Sequence, residues 1–342
     1  MKHFIRLLIL FLLASGHQLF SQDIHFSMFY ASPLTLNPAM TGAGEGSYRA
    51  AGIYRNQWRS ISTPFNTYSA SYDMKLLQDK LPKDIFGVGA VFVGDRSGDG
   101  RLTMKSIMVS SAFHKSLDRE KRHFLGLGVQ LGYTNKSLQY QRLTFPDQFN
   151  SGTSTFDINQ PSGENISNPN IGYFDMQVGL LHQSNINDMI GVMTGVSIAH
   201  ITRPRQSFMN DKAERLSTRY TAHAGVRIKV AKSFYINPNI IYQNQNKAQE
   251  LNLGTSFEYR TTLGKSDFVG SIGGWYRIKD AAIITLGMEY YKVKALFAYD
   301  INASSLRPAT NNRGAFELAI IYTGIIKSNK VIYPVMVPCP MM

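Results

Sequence analysis

Cysteine is nearly absent from this sequence, Cys339 being the only one in 342 residues. A single thiol closes no disulfide within the chain and builds no thiolate metal cage. Beyond the N-terminal leader there is also no apolar run of the roughly 20 residues that a membrane-crossing helix needs. Apolar residues almost nowhere recur with the helical period. No Gly-x-Ser-x-Gly nucleophile elbow occurs. None of the eight histidines stands at metal-ligand spacing from a partner,. His182, His200 and His223 fall on or at the ends of alternating segments, where a lumen or girdle role is expected instead. These absences argue against a disulfide-stapled domain and a helical membrane protein. They leave no enzyme signature, no metal and no cofactor to expect. A hydrolase assembled across neighbouring segments stays as a distant third reading.

The leader itself reads as an export signal. Lys2, His3 and Arg6 form a basic start, and Leu7 to Ala14 is an apolar core too short to span a bilayer,. Ser21 supplies the small residue at the end of Leu19-Phe20-Ser21, so cleavage is expected before Gln22, with residues 1–21 as the signal peptide. No cysteine follows to carry a lipid. The formal charge is +13, and Lys2 and Arg6 lie in the leader, which leaves +11 after cleavage. The basic residues are scattered, and an exported protein rarely meets nucleic acid, so a surface facing anionic lipid headgroups is expected rather than a nucleic-acid partner.

What the chain does have is period-two alternation, segment after segment. Leu125, Leu127, Val129, Leu131 and Tyr133 oppose Gly126, Gly128, Gln130 and Gly132. Tyr220, Ala222, Ala224, Val226 and Ile228 oppose Thr221, His223, Gly225, Arg227 and Lys229. Leu251, Leu253, Phe257 and Tyr259 oppose Asn252, Gly254, Ser256, Glu258 and Arg260, and Phe316, Leu318, Ile320 and Tyr322 oppose Ala315, Glu317 and Thr323. Each segment runs to about ten residues, the length a tilted strand needs to cross the hydrocarbon layer. Strands of a soluble sandwich are nearer six. Charged residues on one face suit a wet or plugged lumen, and a closed barrel leaves no strand edge in lipid. The expected fold is therefore all-β: an antiparallel transmembrane outer-membrane β-barrel of about 14 strands.

The strands are expected near 47–58, 65–74, 85–94, 103–114, 123–134, 173–184, 189–201, 219–230, 234–243, 250–260, 268–277, 282–290, 293–301 and 314–325. The longest connections, 135–172, 202–218 and 302–313, all follow odd-numbered strands and fall at one end. Tight turns such as 185–188, 231–233 and 291–292 fall at the other, although 75–84 and 115–122 are longer than ideal. Long loops outside and short turns inside is the asymmetry such barrels show. The chain divides into the signal peptide 1–21, a pre-strand segment 22–46, the barrel 47–326 and a tail 327–342 on the periplasmic side. The pre-strand segment and the tail lie on that side or tuck into the lumen. Pro334, Pro338 and Pro340 keep the tail from being a central strand,.

Two local patterns imitate binding motifs. Asp95 to Gly100 resembles the first half of a calcium loop, but position twelve is Ser106 rather than a bidentate Glu, so a hairpin loop is the simpler reading. Gly126, Gly128 and Gly132 lie within a strand with no helix following, and so cradle no phosphate; they read better as small lumen-facing residues.

Residues 22–42, QDIHFSMFYASPLTLNPAMTG, resemble the start of mature PorP/SprF-family proteins, outer-membrane proteins tied to the type IX secretion system of Bacteroidota. The resemblance continues through Tyr54-Arg55-Asn56-Gln57-Trp58, Gly172-Tyr173-Phe174-Asp175, and His200-Ile201-Thr202-Arg203-Pro204 with Ser207-Phe208. It returns in Gly274-Trp275-Tyr276-Arg277 with Asp280-Ala281, and in Tyr299-Asp300-Ile301-Asn302 with Ser304-Ser305-Leu306. It implies a multi-pass outer-membrane protein at the cell surface, not an enzyme. Such a protein works with other secretion components in exporting or anchoring a secreted surface protein, such as an adhesin used in gliding motility. No catalytic residue comes with it. From the loops themselves, Tyr140, Phe145, Phe149, Phe156, Arg203, Arg205 and Phe208 are the expected partner-binding residues, aromatic anchors and directional donors among polar neighbours. The alternative is an outer-membrane channel for a small solute. An open lumen would favour the channel, and a lumen filled by 22–46 or the tail would favour the partner role.

Overall fold

The computed structural model describes residues 23–326 except 60–62, 158, 165, 265 and 306. The expected signal peptide, 1–21, and the expected tail, 327–342, lie outside the described residues. Sixteen strands form: β1 (Tyr48–Gln57), β2 (Phe65–Leu76), β3 (Ile85–Ser97), β4 (Leu102–Ser116), β5 (His123–Ser137), β6 (Phe149–Asn150), β7 (Thr155–Phe156), β8 (Asn170–Asn185), β9 (Ile190–Ala199), β10 (Arg219–Lys229), β11 (Phe234–Gln245), β12 (Ala248–Leu263), β13 (Ser266–Arg277), β14 (Ala281–Tyr290), β15 (Val293–Asn302) and β16 (Arg313–Gly324). Strands β6 and β7 make a separate two-stranded hairpin. The other fourteen close into one antiparallel barrel, β1 pairing with both β2 and β16. This is the barrel, and the strand count, that the alternation implies.

Closure follows from the solvent on each side. Leu125, Leu127, Leu131 and Tyr133 of β5 face outward and are exposed in the isolated chain, while Phe124 and Gln130 face inward and are buried. The same parity puts Leu318 and Ile320 of β16 outside and Glu317 inside, fully buried. An exposed apolar outer face is stable only in hydrocarbon, where every backbone donor and acceptor must be satisfied by a neighbouring strand. The long connections 138–169, 200–218 and 303–312 gather at one end; the turns 186–189, 230–233 and 291–292 lie at the other. At the last of these, Tyr291 and Lys292 both take positive φ, 47° and 64°, the backbone of a two-residue hairpin turn that matches strand twist.

The largest buried cluster is not between strands. It forms where residues 23–46 fill the lumen, packing Phe26, Met28, Phe29, Tyr30, Leu36 and Met40 against inward-facing wall residues. Three short helical turns, Phe29–Ala31, Pro33–Leu36 and Pro38–Met40, fold this segment compactly. It runs from the long-loop end at Asp23 to the short-turn end, where Ser47 meets Gly324 and β1 begins.

Candidate functional site

The site is the plugged lumen together with the loop rim above it. At the long-loop mouth the plug begins on a charged clasp. His200, one residue past β9, takes positive φ (59°), which turns its ring back into the barrel. Its Nδ1 lies 2.7 Å from Asp175 Oδ2 on the β8 wall, and its Nε2 is hydrogen-bonded to the Asp23 carboxylate on the plug. Arg219 Nη1 closes the group at 3.3 Å from Asp23 Oδ2. Burial alone would lower the His200 pKa, but the Asp23 and Asp175 carboxylates outweigh it and push the imidazole up to about 9,. Burial alone would likewise raise Asp23, and the charges of His200 and Arg219 instead hold it far below the usual carboxylate range.

Four residues deeper, the plug meets a buried ion network. The Glu317 carboxylate accepts the backbone N–H groups of Ser27 (2.6 Å) and Met28 (2.8 Å), and is paired with Arg55. Arg55 Nη1 donates to Ser27 Oγ at 2.6 Å; Arg55 Nη2 and Arg277 Nη2 each donate to Asp300 Oδ2 at 3.1 Å. Ser27 Oγ donates to the same oxygen at 2.7 Å. Every strong charge here has an opposite partner, the condition under which burial of ions is tolerated. Below it Trp275 packs edge-on to Phe29 (5.9 Å between ring centroids) and tilted against Tyr30 (5.3 Å).

Lower still, Asn37 works in two directions. Its Oδ1 accepts from Ala39 N (2.9 Å) and starts the Pro38 turn, while its Nδ2 donates to the Leu180 carbonyl at 3.0 Å. The wall permits this approach because it carries glycine. A Cβ on Gly128 would stand 2.3 Å from Ala39 N, and one on Gly87 2.4 Å from the Thr41 carbonyl oxygen,. At the short-turn end Arg49 makes a bidentate pair with Asp73 (2.9 and 3.1 Å). It also donates to the Met40 carbonyl (3.0 Å), while Gly42 N donates to Asp73 (2.8 Å). The plug is thus held at both ends and in the middle.

Arg55, Asp175, His200, Trp275, Arg277 and Asp300 all sit in runs that carry the PorP/SprF resemblance, and all contact the plug or the residues that hold it. A family model described as type IX secretion system membrane protein PorP/SprF matches residues 18–322. The chain belongs to that family. Solved structures with a similar fold include the toluene transporter TbuX of Ralstonia pickettii (TM-score 0.51, 9% identity, 85% of this chain and 92% of that one). The toluene transporter TodX of Pseudomonas putida is another (TM-score 0.51, 10% identity, 89% and 98%). At such identity the likeness is one of fold, an outer-membrane barrel. Among curated proteins none matches the chain significantly.

On this PorP/SprF-family barrel the expected partner-binding residues fall into three groups on the long-loop rim. Phe149 and Phe156 are register partners in the β6–β7 hairpin, with rings 5.2 Å apart, T-shaped and about half exposed. Tyr140 and Phe145 lie on the stretch that docks against the β3–β4 turn through Gln139 N, which donates to the Gly100 carbonyl (2.8 Å). Arg203 and Arg205 are exposed in the 200–218 loop, and Phe208 beside them is half-buried. The two loops touch where Asn168 N donates to the Phe208 carbonyl (3.0 Å). Asp95 to Gly100 is a hairpin connection: Asp95 lies on β3 and accepts from Thr67 Oγ1 (2.6 Å). Among the described residues no three His, Cys, Asp or Glu side chains gather as a metal site. Between plug and wall, near the clasp, Ile24, Phe26, Met104, Met108 and Tyr173 border a small, partly open cavity. Period-two reading finds the wall, and it misses the clasp because Asp23, Asp175, His200 and Arg219 come from four separate stretches.

Proposed function

We propose that this type IX secretion membrane protein is a sealed, non-enzymatic barrel that supports export or surface anchoring of a secreted protein such as an adhesin, holding it by the long-loop rim. The observation that carries this reading is the filled lumen: residues 23–46 are tied to the wall along its length and pack a buried core inside the barrel. A barrel that spends its interior on a fixed plug offers other proteins its rim. There Phe149 and Phe156 provide exposed aromatic area, and Arg203 and Arg205 provide donors for a carboxylate-bearing partner,. The long-loop end then faces outward, and the other secretion components are the neighbours the family implies. Export through a signal peptide cleaved before Gln22 belongs to the same reading. Replacing Phe208 and Arg205 together by Ala should leave assembly intact, because neither lies in a membrane-crossing strand. It should release a surface protein into the medium or strand it in the periplasm. An unchanged surface proteome would sink the proposal.

A channel for a small solute is the second reading. It is favoured by the cavity beside the plug and by the fold shared with transporters of toluene. It wins if deleting the gene slows entry of a small solute while the surface proteome stays the same.

A further inference from the structure

Four cations stand together on the outer side of the barrel at its long-loop end. Lys105 of β4 is exposed on the same outward face as Ile107 (62% exposed) and Val109 (60%), two residues further along the strand. At about 3.3 Å of rise per residue, its Cα stands about 7 Å above that of Ile107. Arg96 of β3, also outward and exposed, is the register partner of Thr103, and Lys105 is the partner of Gly94. Arg96 and Lys105 are therefore diagonal neighbours, close enough for both side chains to reach one group. Arg101 follows in the β3–β4 turn. Arg142 is brought to the same corner by the Gln139–Gly100 hydrogen bond, with Leu143 closing over Gly100. Among the described residues none of the four side chains has an ion pair or a hydrogen-bonded acceptor. The acid of the turn, Asp99, accepts from Thr63.

Uncompensated cations this close repel one another, and the repulsion is visible at Arg101, whose pKa is lowered chiefly by Arg142 and then by Arg96. In bulk water such charges are hydrated and their interactions are screened by salt, whereas beside a low-dielectric apolar surface the same charges act more strongly. Their position, about 7 Å or more along the strand above an exposed apolar band, is where lipid headgroups lie,. An aromatic girdle marks the same level: Tyr68 packs on Phe92 (5.8 Å) and Tyr133 on Phe174 (5.2 Å), all directed outward,. Guanidinium forks match phosphate oxygens bidentately, and a lysine adds a point charge.

We propose that Arg96, Arg101, Lys105 and Arg142 form a binding site for the phosphate-bearing headgroup of a membrane lipid, whose acyl chains lie along Ile107, Val109 and Phe92. The lipid neutralises the four charges and pins the 138–143 stretch against the barrel.

The test uses the full chain in nanodiscs of neutral phosphatidylcholine doped with diphosphorylated lipid A, with bound lipid counted by native mass spectrometry. Lipid A should remain bound, and dephosphorylated lipid A should not. The quadruple change R96Q/R101Q/K105Q/R142Q should lower retention at least tenfold. The double change K212Q/K279Q, which removes charge elsewhere on the same end, should leave it unaltered. R142Q alone, in a loop outside the barrel wall, guards against a folding defect and should lose several-fold. Equal retention by the quadruple variant and the wild type overturns the site. Displacement of lipid A by inorganic phosphate at equal concentration overturns the lipid as its source and makes the ligand a soluble anion.

Discussion

His200 shows how one side chain can fasten a segment remote from it in sequence. Its folded pKa lies above the ordinary 6.5, so the stability it contributes is complete below 6.5 and is lost as pH rises through about 9,. Asp23 has the opposite sense: its contribution is present above the ordinary 3.8 and is lost as pH falls through its lowered folded value,. The clasp is therefore at full strength between 3.8 and 6.5. Amide exchange over residues 23–28, corrected for intrinsic pH dependence, should be slow at pH 6 and fast at pH 10. His200→Gln should make it fast at both; equal protection at pH 6 in wild type and variant would remove His200 from the role. Deeper in, Glu317→Gln leaves Arg55 buried with a weaker partner and orphans part of the plug's backbone bonding. Loss of one member of a buried pair costs about 3 kcal/mol or more. The variant should therefore unfold at visibly lower guanidinium concentration than wild type.

At the scale of elements, the strands and the plug obey different rules, and this is why one was legible and the other was not. A strand between lipid and a polar lumen must alternate, so β5 and β16 declare both their existence and their faces in the order Leu125, Gly126, Leu127, Gly128 and Phe316, Glu317, Leu318,. The plug has no such constraint. Its turns are three or four residues long and buried on all sides, so no periodicity marks them,. The wall glycines gave a partial signal: Gly128 reads as a small lumen-facing residue, but only the fold shows that Ala39 fills the space it leaves. Gly128→Val should push the Pro38–Ala39 turn off the wall without disturbing the strand's outer face. The variant should still migrate as a folded barrel yet admit ions in planar-bilayer recordings. A tight, non-conducting variant would mean the plug does not rest on that contact.

The whole molecule is a closed sheet with one crowded rim. Closure satisfies every strand edge internally, so unboiled protein should run faster than boiled protein on detergent gels. If the long-loop end faces outward, protease added to intact cells should cut within 138–169 before any turn at the other end. Cleavage confined to 186–189 or 230–233 would reverse the orientation. The barrel, its fourteen strands and the gathering of long loops at one end were determined by the sequence itself. Hydrocarbon outside and polar groups inside dictate a local period that each membrane-crossing strand of about ten residues reveals. What only the tertiary structure decided is the content of the lumen. The clasp of Asp23, Asp175, His200 and Arg219 and the network of Ser27, Arg55, Arg277, Asp300 and Glu317 join residues up to 290 positions apart. Such pairings carry no local pattern, because they exist only once closure brings the strands around the plug.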